Sequence, residues 1–334
     1  MTISLDLIIA TYNRPRQLAS ALTSIAAAIC PADLALRILV ADNNSTANNQ
    51  SANQDAVAAH DTLNVHYLFE ARQGKSWALN TALAQTTAEY VAFIDDDEKL
   101  DSHWFETAAQ YLRDGSNDYI GGPYKPDWGA PSPDWLPATI GKYPAVIGWI
   151  EQSDKVQSFD TFGGSLCGGN CIIRRSALQE VGGFSTQLGR FANNLMCGED
   201  DELHRQLRLH GKVGMYDPAL IIYHFIPAQR MTMKYHLRWA FWSGVSNGVR
   251  LAWMPTEPVR TIFGIALYRF GFALRGLLNW FGSLPTRTAR RRAEGFSGLM
   301  DVFYLIGMIY GKHFFHMKVQ QVTIQKSASA DQAA

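Results

Sequence analysis

The 334-residue sequence predicts an α/β fold: a Rossmann-like, mostly parallel central sheet flanked by helices, followed by a C-terminal helical extension. Three observations carry this. Short apolar runs alternate with stretches of helical spacing over the first hundred residues. Each of three runs ends in polar, turn-forming residues. After Ile226 the character changes to long apolar and aromatic segments punctuated by Arg. Residues 5–10 and 37–41 read as strands, and between them Leu18, Leu22, Ile25 and Ile29 recur at helical spacing within residues 16–30. A second helical stretch, around residues 75–85, precedes a third strand at 90–94. Strands alternating with helices argue for a parallel sheet covered on both faces. Residues 121–144, rich in Pro, Gly, Trp and Tyr, read as a long irregular loop. Residues 171–178 read as a strand passing into a turn, and 199–210 as a helix closed by Gly211. Residues 213–224 are strand-like, broken at Asp217-Pro218. The predicted division is a domain at 1–225 (halves about 1–100 and 101–225), a basic, aromatic extension at 226–324, and a disordered tail at 325–334.

An apolar fraction of 47% with 18% charged residues is that of a chain with a sizeable core, which excludes wholesale disorder. Net charge is zero but unevenly spread: residues 1–224 hold 16 Lys+Arg against 26 Asp+Glu, and residues 225–334 hold 14 against 4. An acidic body joined to a basic extension implies two segments with different surroundings. Residues 1–6 lack the basic start of a signal peptide, and no C-x-x-C pair groups Cys30, Cys167, Cys171 and Cys197, so reduced thiols in a cytoplasmic protein are expected. The acidic body and the lack of a recognised module exclude a nucleic-acid role for the Arg287–Arg292 cluster.

In parallel sheets, ligands bind beyond the C-terminal strand ends. All three predicted strands place polar residues there: Thr11-Tyr12-Asn13-Arg14, Asp42-Asn43-Asn44-Ser45 and Asp95-Asp96-Asp97. Three adjacent carboxylates repel one another, and hard oxygen ligands suit Mg2+ or Mn2+ bridging to phosphates. Alone, however, the triplet reads as a surface turn in which Asp97-Glu98 begins a helix. In an extended segment Asp95 and Asp97 point to one side. A second cluster, Glu199-Asp200-Asp201-Glu202, opens the next long helix, where the dipole favours acids; four in a row exceed what capping needs, and one could act as a general base.

The order of the motifs decides between these readings. L-I-I-A-T-Y-N-R-P, V-A-D-N-N-S, E-A-R-Q-G-K-S-W-A-L-N, F-I-D-D-D, G-G-N-C-I-I-R-R-S-A-L-Q-E-V-G-G-F, G-E-D-D-E-L-H-R-Q-L-R-L-H-G and Y-H-F-I-P-A-Q-R follow one another. This series resembles family 2 of the inverting glycosyltransferases, which have the GT-A fold, over about residues 3 to 240. The resemblance implies that Thr11, Asn13 and Arg14 line a nucleotide pocket and that Asp42 contacts the base. Gly74, Lys75, Asp95 and Asp96 join them around the donor. Asp95 and Asp97 form the D-x-D motif that holds a divalent metal, Mn2+ or Mg2+. Gly169 and Asn170 lie in the donor-sugar and acceptor region, and Asp200 is the catalytic base. His224 is near the metal or diphosphate, or is structural.

The implied reaction moves a hexose from a nucleoside-diphosphate sugar, expected to be a UDP-sugar, onto a hydroxyl of a lipid-linked or polysaccharide-precursor glycan. Two departures from the family pattern matter. Ala78-Leu79-Asn80 stands where the family has Ala-Arg-Asn, leaving Lys75 or Arg72 to supply the missing cation. Tyr235-His236-Leu237-Arg238-Trp239 keeps Arg-Trp of the processive Q-x-x-R-W motif but has Tyr for Gln, which favours single addition. The alternatives are a non-catalytic nucleotide-sugar-binding protein and a nucleotidyltransferase. Retention of Asp95, Asp97 and Asp200 argues against the first, and the absence of glycine in Thr11–Pro15 against the second. Within Thr261–Gly282, Arg269 and Arg275 interrupt an apolar, aromatic run, so a surface-lying helix fits better than a spanning one; Arg287, Arg290, Arg291 and Arg292 add attraction for anionic lipid. Peripheral placement at the cytoplasmic membrane face is the expected location.

Overall fold

The structure, a computed structural model, describes residues 2–136, 143–190, 194–253, 259–286 and 288–315. Arg287, the tail from Gln325 and part of the expected loop at 121–144 lie outside the described residues. The described chain divides into two compact units. One holds residues to Gly129, residues 148–190, and Glu199–Ile226; residues 130–136, 143–147 and 194–198 cluster instead with the residues from Pro227 onward.

In the first unit, β1 (Ile3–Thr11), α1 (Pro15–Ala27), β2 (Leu34–Asp42), α2 (Ala47–Ala58), β3 (Val65–Phe69), α3 (Lys75–Leu83) and β4 (Tyr90–Asp95) follow in order. They make the parallel half of an eight-stranded sheet, in the spatial order β3-β2-β1-β4. Beyond β4 the sheet continues through β9 (Cys171–Arg174), β6 (Tyr119–Gly121), β10 (Gly214–Tyr216) and β8 (Gln157–Ser158), with β9 antiparallel to both of its neighbours. A smaller sheet orders β5 (Glu98–Leu100), β11 (Ile222–Ile226) and β7 (Tyr124–Trp128). The helices that complete this unit are α4 (Trp104–Asp114), α5 (Phe159–Phe162), α6 (Arg175–Val181) and α7 (Glu199–Leu209).

Strand alternation builds a core on each face of the large sheet. Leu5, Leu7 and Ile9 of β1 pack with Leu18 and Leu22 of α1 and Phe105 of α4. Ile8, Phe93 and Ile173 pack on the other face with Leu79 of α3 and Leu203 of α7. Leu79 therefore has a packing role, being 3% exposed.

Several elements differ from the sequence reading. Within 121–144, β7 is formed rather than irregular loop, because Tyr124 pairs with Ile150 and with β11. Residues 175–178 belong to helix α6 rather than to a turn. No helix starts at Asp97-Glu98: Asp96 and Asp97 form a turn and Glu98 opens strand β5, so Asp95 and Asp97 do not share an extended face. Helix α2 carries no apolar stripe; its one buried residue is Asn53, whose amide donates to Asp42 at 2.7 Å. That polar anchoring is why spacing rules do not find it.

The second unit contains α8 (Met233–Trp253), a hairpin of β12 (Thr261–Ile262) and β13 (Ile265–Ala266), α9 (Leu267–Ser283) and α10 (Ala289–Tyr310). Its core joins Ala240, Phe296 and Met300, with Trp135 edge-on to His236 and to Phe296.

Two buried histidines link the fold to pH. His204 in α7 accepts from Leu166 N at 3.2 Å, and His236 in α8 bonds to Arg230 O at 3.1 Å. Burial pushes each down to about 4, with Arg208 adding to the effect at His204. In the unfolded chain both protonate near 6.5, so the stability they confer is whole above pH 6.5 and is lost as pH falls toward 4, at about 1.4 kcal/mol per pKa unit for each. Thermal unfolding between pH 7 and 5 should show His236→Phe with a flatter pH dependence than wild type. An unchanged dependence would contradict this account.

Candidate active site

The site is built where β1 and β4 end side by side, with Ala10 opposite Asp95 and Thr11 opposite Asp42 on β2. Three loops meet there and are stitched by short polar side chains. Asn13 takes the left-handed conformation, φ 56°, and its Oδ1 accepts from Thr46 N at 2.9 Å and Asn49 Nδ2 at 3.0 Å. Asp42 accepts from Ser45 N, Asn53 Nδ2 and the Tyr67 hydroxyl at 2.7–2.8 Å. Asn43 closes the third loop, donating to Arg72 O at 2.7 Å and accepting from Gly74 N at 2.8 Å. Gly74, at φ 132°, turns the chain into α3 and so delivers Lys75.

Lys75 Nζ lies 2.5 Å from Asp95 Oδ1 and 3.9 Å from Glu199 Oε1. Burial alone would lower its pKa, but Asp95, Glu199 and Asp200 outweigh that and raise it, so it is a permanent cation. On the other side of the turn, Arg14 Nη1 reaches Asp96 Oδ1 at 3.0 Å and Asp97 Oδ2 at 3.1 Å. Thr11 Oγ1 donates to Asp96 Oδ2 at 2.9 Å. Burial pushes Asp96 up to about 6 against the pull of Arg14. His224 on β11 places Nε2 3.8 Å from Asp97 Oδ1 and stacks on Tyr124.

The turn before β9 supplies the far wall. Gly168 N donates to Asp200 Oδ2 at 3.1 Å, and Gly169 N donates to the Tyr124 hydroxyl at 2.6 Å. A Cβ on Gly168 would stand 2.7 Å from Asp200 Cγ, and one on Gly169 2.4 Å from Glu98 Oε1. Only glycine allows the backbone to approach both acids this closely. Glu98 accepts from Asp95 N at 2.6 Å; burial, reinforced by Asp95, raises its pKa well above the ordinary range. Glu98 Oε1 and Glu199 Oε2 are buried without a hydrogen-bond partner. Glu199 is likewise raised by burial and by Asp200.

The predicted residues thus divide. Arg14, Lys75, Asp95, Asp96, Asp97, Asp200, Gly169 and His224 come together around one cluster of acids with two cations beside it. Asp42 and Asn170 are put to a different use. Both are fully enclosed. The Asn170 amide is committed to Trp104 Nε1, Pro123 O and Leu220 O, tying the turn before β9 to its surroundings. Each side chain braces a loop beside the cluster through bonds within the protein. Of the two replacements for the missing arginine, Lys75 stands at the acids, whereas Arg72 pairs with Glu70 and lies over Trp77. Spacing did not single out Glu98, Gly168 or Tyr124; the acid run through Glu98 and the Gly168-Gly169 pair were the available signals.

For a divalent ion, the carboxylates and one imidazole are the right donor chemistry, and the surplus of acids with a partnerless buried oxygen favours added positive charge. Among the described residues, no three such groups already converge as a ligand set.

The family model for glycosyl transferase family 2 matches residues 6–182. The succinoglycan biosynthesis protein ExoM of Rhizobium meliloti is 24% identical over 326 residues, 96% of this chain and 98% of that one. The glucosyl-dolichyl phosphate glucuronosyltransferase of Haloferax volcanii is 26% identical over 202 residues, 59% of this chain and 61% of that one. Among solved structures, the mannosyltransferase PcManGT from Pyrobaculum calidifontis, in complex with GDP-Man and Mn2+, superposes with a TM-score of 0.61 at 17% identity, covering 93% of this chain and 87% of that one. The shared architecture is the GT-A fold.

Replacing Asp42 by Ala strands three donors at once, so unfolding in denaturant should show a loss on the order of 3 kcal/mol. A loss below about 1 kcal/mol would mean that these bonds do not hold the loops.

Proposed function

The chain belongs to glycosyl transferase family 2, and on that premise we propose that it transfers a hexose from a nucleoside-diphosphate sugar to a hydroxyl of a lipid-linked or polysaccharide-precursor glycan, with inversion and one addition per encounter. The observation that carries this reading is the meeting of Asp200, held by Gly168 N, with the Lys75-bridged acids at the end of β4. A protein that only bound a nucleotide sugar would have no use for a base at that point. The glucosyl-dolichyl phosphate in one relative's name and the succinoglycan biosynthesis in another's support the acceptor class.

In this reading Asp95, Asp97 and His224 would hold a divalent ion, Mn2+ or Mg2+, which when bound would supply positive charge beside the diphosphate. Arg14 and Lys75 are placed to take up diphosphate oxygens as negative charge moves onto the leaving group. Lys75 fills the part of the absent arginine; Leu79 cannot, because it is packed in the core. Asn13 and the loops held by Asp42 and Asn43 frame the nucleoside. Asp200 removes the acceptor proton as its oxygen attacks the anomeric carbon from the face opposite the leaving group. The bond to the diphosphate breaks as the new glycosidic bond forms. Fixing both substrates in line removes the entropy cost of their meeting at the reacting centre.

Asp200→Asn should lower turnover by about 10²–10⁴-fold while leaving donor affinity within a few-fold. Steady-state transfer together with donor titration calorimetry measures both, and wild-type turnover in this variant would rule Asp200 out as base. Lys75→Met should weaken donor binding more than Arg72→Met does, measured by the same titration; the reverse order would assign the replacement cation to Arg72. A panel of UDP- and GDP-sugars with Mn2+ identifies the donor.

A further inference from the structure

Helix α9 is arranged the wrong way round for water. Its fully buried residues are Ala273, Gly276 and Ser283, with Trp280 the one large side chain turned to Phe296, and Gly276 approaches α10 so closely that a Cβ there would stand 2.3 Å from Gly298 O. Tyr268, Phe272, Leu274, Leu278 and Phe281 point outward instead, 51–64% exposed. At 100° per residue Leu274, Leu278 and Phe281 lie on the half of the helix opposite the small residues, with Tyr268 and Phe272 toward its edge. A helix in water buries its large apolar side chains. Small residues inside and large apolar ones outside is the pattern of helices packed in hydrocarbon. The packing of α8 on α10 has the same character: added Cβ atoms on Gly244, Gly307 and Gly311 would stand 2.0–2.2 Å from the carbonyl oxygens of Tyr304, Phe241 and Val245.

The hairpin ahead of α9 gives a second, independent observation. Phe263 at its tip is held at φ 51°, a conformation that bulky residues avoid, and is 68% exposed beside the exposed Ile262. The tip is fixed there by Lys312 Nζ donating to Gly264 O at 2.5 Å and by His313 Nε2 bonding to Phe263 O at 2.8 Å. The unit therefore constrains an aromatic side chain to project away from itself. Charge supplies the third observation. Leu267–Ser283 contains no acid, Arg275 lies on its outward face, and Arg260, Arg290, Arg291 and Arg292 are exposed. No described helix is long and apolar enough to cross a membrane.

We propose that the outward face of α9 and the hairpin tip form a docking surface for an anionic lipid bilayer, with α9 lying in the interface, Phe263 and Ile262 inserted, and the arginines at the phosphate level. This names the surface behind the lipid-linked acceptor in the functional reading and rests on that reading only for its purpose. A second copy of the chain fits less well, because it would bring Arg275 toward its own symmetry mate with no acid on α9 to offset it.

Flotation of the full chain with phosphatidylcholine vesicles, with and without phosphatidylglycerol, tests the proposal. The wild type should float with the anionic vesicles and less with the neutral ones. The triple variant Leu274→Ser, Leu278→Ser, Phe281→Ser should lose more than about tenfold in vesicle partitioning, and Phe263→Ser a smaller share. Circular dichroism and transfer to a water-soluble acceptor should be unchanged in both variants, since the altered side chains touch solvent. A triple variant that floats like wild type overturns the proposal, as does a wild type that stays unbound. So does a wild-type dimer that the triple variant dissociates, which would assign the face to a second copy. Normal flotation by a wild type with no transfer activity would leave the docking surface standing and remove the functional reading instead.

Discussion

Six carboxyl groups, Asp95 to Glu98 together with Glu199 and Asp200, gather beside Lys75 and Arg14 at the strand ends of the first unit. Like charges brought together in a partly buried site repel, and the cost rises with burial. The chain answers in three ways. Lys75 bridges Asp95 and Glu199, Arg14 spans Asp96 and Asp97, and Glu98 and Glu199 have pKa values raised by burial so that their protonated forms are favoured. Lys75 is the contact on which the rest turns, because it joins acids that are about a hundred positions apart in the chain. Its placement depends on Gly74, on Asn43 holding the loop before α3, and on Leu79 and Ala82 anchoring that helix in the core.

The sequence was readable where geometry imposes a short repeat. The alternation in β1, β2 and β4 and the apolar stripe of α1 mark the parallel half of the sheet, and the strand-end rule locates the site. What was not readable has a common cause: structure fixed by polar contacts between distant residues. Helix α2 is tied down through Asn53 to Asp42, and Asn170 is consumed by three structural bonds, so a residue type that looks like a ligand works as a brace. The turn at Asp96-Asp97 was missed for a related reason. Local rules allowed either an extended acidic segment or a helix start, and the pairing of β5 with β11 decided for neither. Each acid cluster alone was equally open to a structural explanation; the three-dimensional meeting of Asp95, Lys75 and Glu199 is what no spacing rule contains.

The two units differ in what they turn outward. The first has large apolar side chains on both inner faces of its sheet and an acidic rim of strand-end loops, as expected of a domain surrounded by water. The second also has an apolar core around Phe296 and Met300, but its helices meet closely at glycine, alanine and serine, and α9 turns aromatic and aliphatic groups outward. The uneven charge along the sequence, with acids before residue 225 and bases after it, is the same division expressed in another property.

The anomeric configuration of the product tests the central account most directly. A single displacement with Asp200 as base and the diphosphate leaving from the opposite face gives a product whose anomeric centre is inverted relative to the donor. Proton NMR of the glycosidic linkage, recorded early in the reaction before any equilibration, should show that inversion. A product with retained configuration would contradict the account, because the acids gathered around Lys75 would then have to form a covalent or ion-pair intermediate rather than hold and activate two substrates for one step.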